Sequence, residues 1–241
     1  MKRILFLLLF LTTGMIAFSN DISLNKELAR QGDISAQLYL GKIYREGKIV
    51  PINFNESFKW YEKAAEQNNA EAQFNLALLS LTQLEMDSGE KLTFKDGVNW
   101  LTKAAYQGYP PAELQMGYLY YDGVDIDGVY IKQNYIMAFK WFKKAADKGD
   151  IVAQFYLAGL YYNGTGTVQS YFEAFKWYKL AAEQGLAEAQ FNLGAMYANG
   201  KGVRQDYYEA KEWFGKSCDN GSQKGCDAYK ELNLKGAVLV N

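Results

Sequence analysis

The chain has 241 residues, 49% of them hydrophobic and 22% charged, a balance that can fill a core and excludes a disordered chain. Its formal charge is −1, with 26 basic and 27 acidic residues interspersed along the sequence, which excludes the clustered basic excess of a nucleic-acid binder. It contains no histidine, which removes Ser-His-Asp and Cys-His catalysis, the commonest zinc ligand and the usual proton shuttle near neutral pH.

Residues 1–19 differ from the rest. Lys2 and Arg3 give a basic start, Ile4 to Ile16 form an uncharged apolar run, and Ala17-Phe18-Ser19 is a small-x-small exit, so a cleaved secretory signal is expected. The apolar run falls short of the roughly 20 residues that cross a bilayer, and Thr12, Thr13 and Gly14 weaken it further. No cysteine follows it, so a lipid-modified amino terminus is not expected. Loss of Lys2 and Arg3 leaves 24 basic against 27 acidic residues, a mature charge of −3. No later segment is long and apolar enough for a membrane span, and the expected location is periplasmic or secreted.

The remainder reads as a repeat. Trp60, Trp100, Trp141, Trp177 and Trp213 each precede an aromatic residue or Leu, and a pair of small residues follows, as in Trp141-Phe142-Lys143-Lys144-Ala145-Ala146. Their spacings are 40, 41, 36 and 36 residues. A second motif keeps step: Ala36, Ala72, Ala112, Ala153 and Ala189 each open an Ala-x-aromatic/Leu-x-Leu/Met block. Two motifs in phase predict two helices per repeat. In chain order the expected segments are a half-repeat helix over 20–31 and repeats over 32–68, 69–108, 109–149, 150–185 and 186–221. A cap helix and tail follow over 222–241, frayed from Lys235 onward. On a helical wheel Leu193 and Tyr197 share a stripe with Ala189, and Gly194 lies beside it. Its equivalents Gly41, Ala77, Gly117 and Ala158 also lack bulk, so the first helix should seat large side chains of the second against small ones.

Gly47, Gly123, Gly164 and Gly200 follow the first helices, and Gly108, Gly149, Gly185 and Gly221 the second, as left-handed helix stops. Asn163-Gly164-Thr165-Gly166 and Asn199-Gly200-Lys201-Gly202 follow helices, not strands, and lack the full glycine spacing of a phosphate loop. Repeat two has extra residues around Met86 to Lys91, and repeat three between Asp122 and Tyr135, which are expected to be loops on one edge.

Ala189-Gln190-Phe191-Asn192-Leu193-Gly194-Ala195-Met196-Tyr197-Ala198-Asn199-Gly200-Lys201-Gly202-Val203 with Ala210-Lys211-Glu212-Trp213-Phe214 resembles the Sel-one-like repeat of the tetratricopeptide superfamily. The likeness runs over residues 32 to 221. It implies an all-α, right-handed α/α superhelical solenoid of helix-turn-helix repeats, of the exported cysteine-containing bacterial type. Cys218 takes the place of the second small residue of the last pair, and Cys226 stands where Gln37, Gln73, Gln154 and Gln190 stand. In an exported protein these two should form a disulfide, as the cysteine-rich members of the family bridge helix pairs with the same spacing.

The related arrays bind partners on the concave side formed by first helices. The face roughly 240° to 300° from Ala189 carries the candidate partner-binding ladder Tyr39, Lys42, Asn75, Leu78, Gln115, Tyr118, Tyr156 and Asn192. From the sequence these tyrosines can equally line a groove or pack on the adjacent repeat. No catalytic residue, metal site or cofactor is expected. Ser23 to Lys26 and Ser88 to Lys91 match Ser-x-x-Lys, but the Ser-Asp-Asn and Lys-Thr-Gly partners of a penicillin-recognising site are missing. Asp122, Asp125, Asp127 and Gly128 give only a fragment of a calcium loop. The reading is a non-enzymatic, monomeric scaffold for a protein or peptide partner. A periplasmic immunity protein that neutralises a toxic effector such as a lipase is the sharper variant, and a β-lactam-binding enzyme the remote one.

Overall fold

The computed structural model describes residues 21–81, 93–126 and 128–239. The predicted signal over 1–19 and the repeat-two insertion with Ser88 and Lys91 lie outside them. The chain forms two compact units, Met1–Gln107 and Gly108–Asn241. The first holds helix α1 over residues 21–30, then α2 (Ile34–Glu46), α3 (Phe54–Glu66), α4 (Ala70–Leu81) and α5 (Phe94–Tyr106). The second holds α6 (Pro110–Asp122), strands β1 (Val124–Ile126) and β2 (Val129–Ile131), α7 (Tyr135–Asp147), α8 (Ile151–Asn163), α9 (Tyr171–Glu183), α10 (Ala187–Asn199), α11 (Tyr207–Asp219) and α12 (Gln223–Leu239). The architecture is the expected array of helical hairpins, α2 with α3 through α10 with α11.

Local chemistry sets the helix ends. Asp33, Asn53, Thr93, Asn134, Asp150, Ser170 and Asp206 are N-caps whose side chains accept backbone N–H groups of the first turn. Gly47, Gly164 and Gly200 stop α2, α8 and α10 in the left-handed conformation. After α3 that conformation falls to Asn68, with φ of 62°, one of the few residues besides glycine that tolerate it.

The predicted interlock is present, with a refinement. A β-carbon on Gly41, Gly117 or Gly194 would stand 2.7, 2.5 or 2.8 Å from the ring of Tyr61, Phe142 or Phe214 respectively. The side chain seated on the small residue is therefore the one after the tryptophan. The tryptophans instead join clusters that reach into the preceding repeat as well as their own first helix: Trp60 shares one with Ala29 and Leu40, Trp100 with Ala64 and Leu76, Trp177 with Ala145 and Leu157, and Trp213 with Ala181 and Leu193.

The repeat-three insertion differs from expectation. It is an antiparallel hairpin in which Val124 pairs with Ile131, Asp125 with Tyr130 and Ile126 with Val129. Alternating apolar residues flanking an Asp-Gly pair favour such a hairpin over an open loop. Asp122 therefore ends α6 while Asp125 sits on β1. Among the described residues no helix is long and apolar enough to cross a membrane.

Candidate functional site

A buried amide bracket holds each of the first helices α2, α4, α8 and α10 to its neighbours. The Nε2 groups of Gln37, Gln73, Gln154 and Gln190 donate to the carbonyls of Ala29, Ala65, Ala146 and Ala182, at 2.9 to 3.4 Å. Their Oε1 atoms accept from Gln67, Gln107, Gln184 and Asn220, at 2.6 to 2.9 Å. All four glutamines are at most 4% exposed. Buried polar groups are tolerated only when paired, so the bracket fixes the rotation of each of these helices and hence which face it presents.

Repeat three changes both partners of this bracket together. Glu113 stands in the glutamine's place and Lys148 at the second-helix cap, where Lys148 Nζ lies 2.7 Å from both Glu113 Oε1 and the Gly108 carbonyl. The disulfide takes over the same pairing at the end of the chain. Cys218 and Cys226 are bonded, with Cα atoms 4.5 Å apart and a sequence separation of 8, the separation that the glutamines bridge by hydrogen bonds.

In the first unit, Lys42 is exposed and Tyr39 and Leu78 are half-buried. Tyr39 leans on the cluster of Ala29, Leu40 and Ile43, and burial raises its hydroxyl above the ordinary tyrosine range. Asn75 is only 8% exposed; it donates to the Glu71 carbonyl at 2.9 Å and accepts from Arg45. Arg45, absent from the predicted ladder, lies 6.0 Å from the Tyr61 ring centre and is half-buried.

In the second unit, Gln115, Tyr118, Tyr156 and Asn192 are all half-buried. The rings of Tyr118 and Tyr156 meet edge to face at 5.0 Å, and Tyr156 stacks on Phe142 at 5.1 Å. Burial, then the neighbouring Tyr156, pushes the Tyr118 hydroxyl far above the usual tyrosine range. Asn192 hydrogen-bonds the Tyr178 hydroxyl. The structure adds Tyr121, whose ring lies 5.7 Å from Tyr156 and 5.4 Å from Tyr135. Sequence reading passed over it, although its place one turn beyond Tyr118 was the available signal. The tyrosines on these helices pack by one edge and are half-buried rather than enclosed. Ser23 is exposed on α1, and Lys26 lies over the Tyr44 ring, 5.8 Å from its centre.

A family model for the Sel1 repeat matches residues 34–69, 70–109, 110–150, 151–186 and 187–222. Among solved structures, c5321, a protective antigen of uropathogenic Escherichia coli strains with an SLR fold, is 29% identical with a TM-score of 0.79 over 88% of this chain and 44% of that one. A Sel1 repeat protein from Oxalobacter formigenes is 31% identical with a TM-score of 0.70 over 87% of this chain and 85% of that one. The sel1-like repeat-containing protein L21 of Acanthamoeba polyphaga mimivirus is 28% identical over 135 residues, and there the match spans 55% of this chain but 22% of the relative.

Proposed function

We propose that this chain, which belongs to the Sel1 repeat family, is a scaffold that works outside the cytoplasm and holds a protein or peptide partner on the faces of its first helices. One observation carries this reading: the first helices keep tyrosine, amide and lysine side chains half-exposed or exposed (Tyr39, Lys42, Gln115, Tyr118, Tyr156 and Asn192) on a backbone tied by the buried amide bracket or, in α6, by the Glu113–Lys148 pair. Pre-positioned aromatic and amide groups lose little entropy when a partner docks, which suits them to recognition. The Cys218–Cys226 disulfide supports an oxidising compartment, in keeping with the export signal read in residues 1–19.

The test is capture of partners from the envelope fraction of the source cell by the wild-type protein and by two variants. Tyr39→Ala with Tyr118→Ala and Tyr156→Ala removes the ring surface. Lys42→Glu with Gln115→Ala changes accessible groups that the fold spares. The reading expects one protein retained by the wild type and lost from both variants, with helical content unchanged by circular dichroism. Equal retention by the folded Lys42→Glu, Gln115→Ala variant overturns it. An effector neutralised by an immunity protein would be one such partner and would be identified in the same capture.

A further inference from the structure

One cleft within the first unit gathers cations from two helices. Its volume is about 430 Å3, and its walls include Lys26 and Arg30 of α1, Lys59 and Lys63 of α3, and the rings of Tyr44 and Trp60. Lys59 and Lys63 lie 5.6 and 5.3 Å from the Trp60 ring centre, and Lys26 lies 5.8 Å from that of Tyr44. Their ammonium groups are thus carried on stems laid over aromatic faces, where the rings hold them in place.

Among the residues that line the cleft Glu56 is the acidic one, and Glu27 flanks Arg30. Glu56 Oε1 is 3.4 Å from Lys59 Nζ, and its Oε2 accepts from Trp60 Nε1 at 3.0 Å. Glu27 lies 3.7 Å from Arg30, with both side chains more than half exposed, a pair that water and salt keep weak and that an incoming carboxylate can exchange. The local balance stays positive on a chain whose total charge is negative. Four cations on an acidic protein suit a short acidic segment better than a long polyanion, whose binding grows with the number of charges neutralised. The volume suits one or two side chains, and the half-buried Tyr44 ring offers apolar area for their methylene groups.

We propose that this cleft is a second recognition subsite, which takes Asp or Glu side chains from an extended acidic segment of a protein partner. It goes beyond the first-helix reading, because its cations come from α1 and α3 and it is tested without any cellular partner.

The probe is a fluorescein-labelled peptide, acetyl-Gly-Glu-Glu-Phe-Glu-Glu-amide, with the Gln-for-Glu peptide and inorganic phosphate as comparators. Fluorescence anisotropy at low ionic strength should show the Glu peptide bound about tenfold tighter than the Gln peptide. Lys63→Gln and Arg30→Gln should each weaken it about fivefold, and roughly 0.3 M salt should do the same. Glu56→Gln keeps the acceptor for Trp60 and removes a competing carboxylate, so it should tighten binding about threefold. Lys103→Gln, a lysine 4.0 Å from the Trp100 ring and outside the cleft, should change nothing. A gain of affinity cannot come from unfolding, so Glu56→Gln keeps the test decisive where other variants lose structure. The proposal is overturned by no binding, by equal binding of the Glu and Gln peptides, by indifference to Lys63→Gln and Arg30→Gln in folded protein, or by displacement with phosphate at peptide-like concentrations. Peptide binding that survives Lys42→Glu with Gln115→Ala, set beside the capture result, separates failure of one reading from failure of the other.

Discussion

A β-carbon on Gly202 would overlap the carbonyl oxygen of Tyr171, and one on Gly166 would overlap that of Tyr135. The loop after each of the first helices α8 and α10 therefore nests on the first residue of the preceding repeat's second helix. Both glycines have φ of 73°, so conformation and space make the same demand. This gives the second glycine of each Gly-x-Gly run a purpose apart from stopping a helix: it lets successive repeats touch backbone to backbone.

Gly202→Ala should therefore cost more than an ordinary left-handed glycine. Gly221, with φ of 93° and nothing within 4 Å of its notional β-carbon, is the comparison. Urea denaturation should show a loss of about 1 kcal/mol for Gly221→Ala and about 3 kcal/mol for Gly202→Ala. Equal losses would show that the loop shifts freely and that the contact is not tight.

The Glu113 and Lys148 pair should behave as a substituted amide bracket. Lys148→Gln leaves a carboxylate that is 2% exposed facing an amide, and should destabilise by about 1–3 kcal/mol. The loss stays below that of a fully buried pair because the lysine side chain is 40% exposed. Glu113→Gln combined with Lys148→Gln recreates the pairing of Gln154 with Gln184 and should recover most of the stability. A double-mutant cycle measured by thermal unfolding checks the sign: additive losses would refute the coupling.

Reduction of Cys218–Cys226 should loosen the carboxyl-terminal cap first. Closing so short a loop contributes about 2.5 kcal/mol on the chain-entropy view, and in a repeat array that loss falls on the neighbouring helices. Hydrogen exchange should speed up in α11 and α12 under reducing conditions and stay unchanged in α8. Cys218→Ala with Cys226→Gln should restore part of the protection, because glutamine at that position can reach the carbonyl eight residues earlier, as Gln190 does.

Alkaline pH should weaken the second unit through Tyr178. Burial, opposed by the hydrogen bond from Asn192, places its hydroxyl at about 12 in the fold against 10.0 for a free tyrosine. The folded value is the higher one, so the unfolded chain loses its proton first as pH rises. The stabilisation is complete below pH 10 and is lost as pH climbs from 10 through 12. Its size is roughly 1–3 kcal/mol. Urea midpoints measured between about pH 8 and pH 11 should fall less steeply in Tyr178→Phe than in the wild type.

The sequence by itself determined the helical hairpins, because their signals are local. Caps such as Asp150, stops such as Gly164, and the facing of small first-helix residues such as Gly194 to bulky ones of the second helix lie within one repeat and follow from helix periodicity and side-chain size; that Phe214 is the residue seated on Gly194 came from the structure. It also determined which cysteines pair, since Cys218 and Cys226 sit within one helix-turn-helix corner. The tertiary structure alone decided where Trp213 and Gln190 go, because each reaches a neighbour in another repeat. It alone showed that Asn75 is turned inward while Lys42 stays outside, and that Lys26 and Lys63 share a cleft. A helical wheel assigns a direction to each side chain but does not say how far the next repeat advances over it. That advance is set by packing between residues 30 or more positions apart, and it separates a buried side chain from one that can meet a partner.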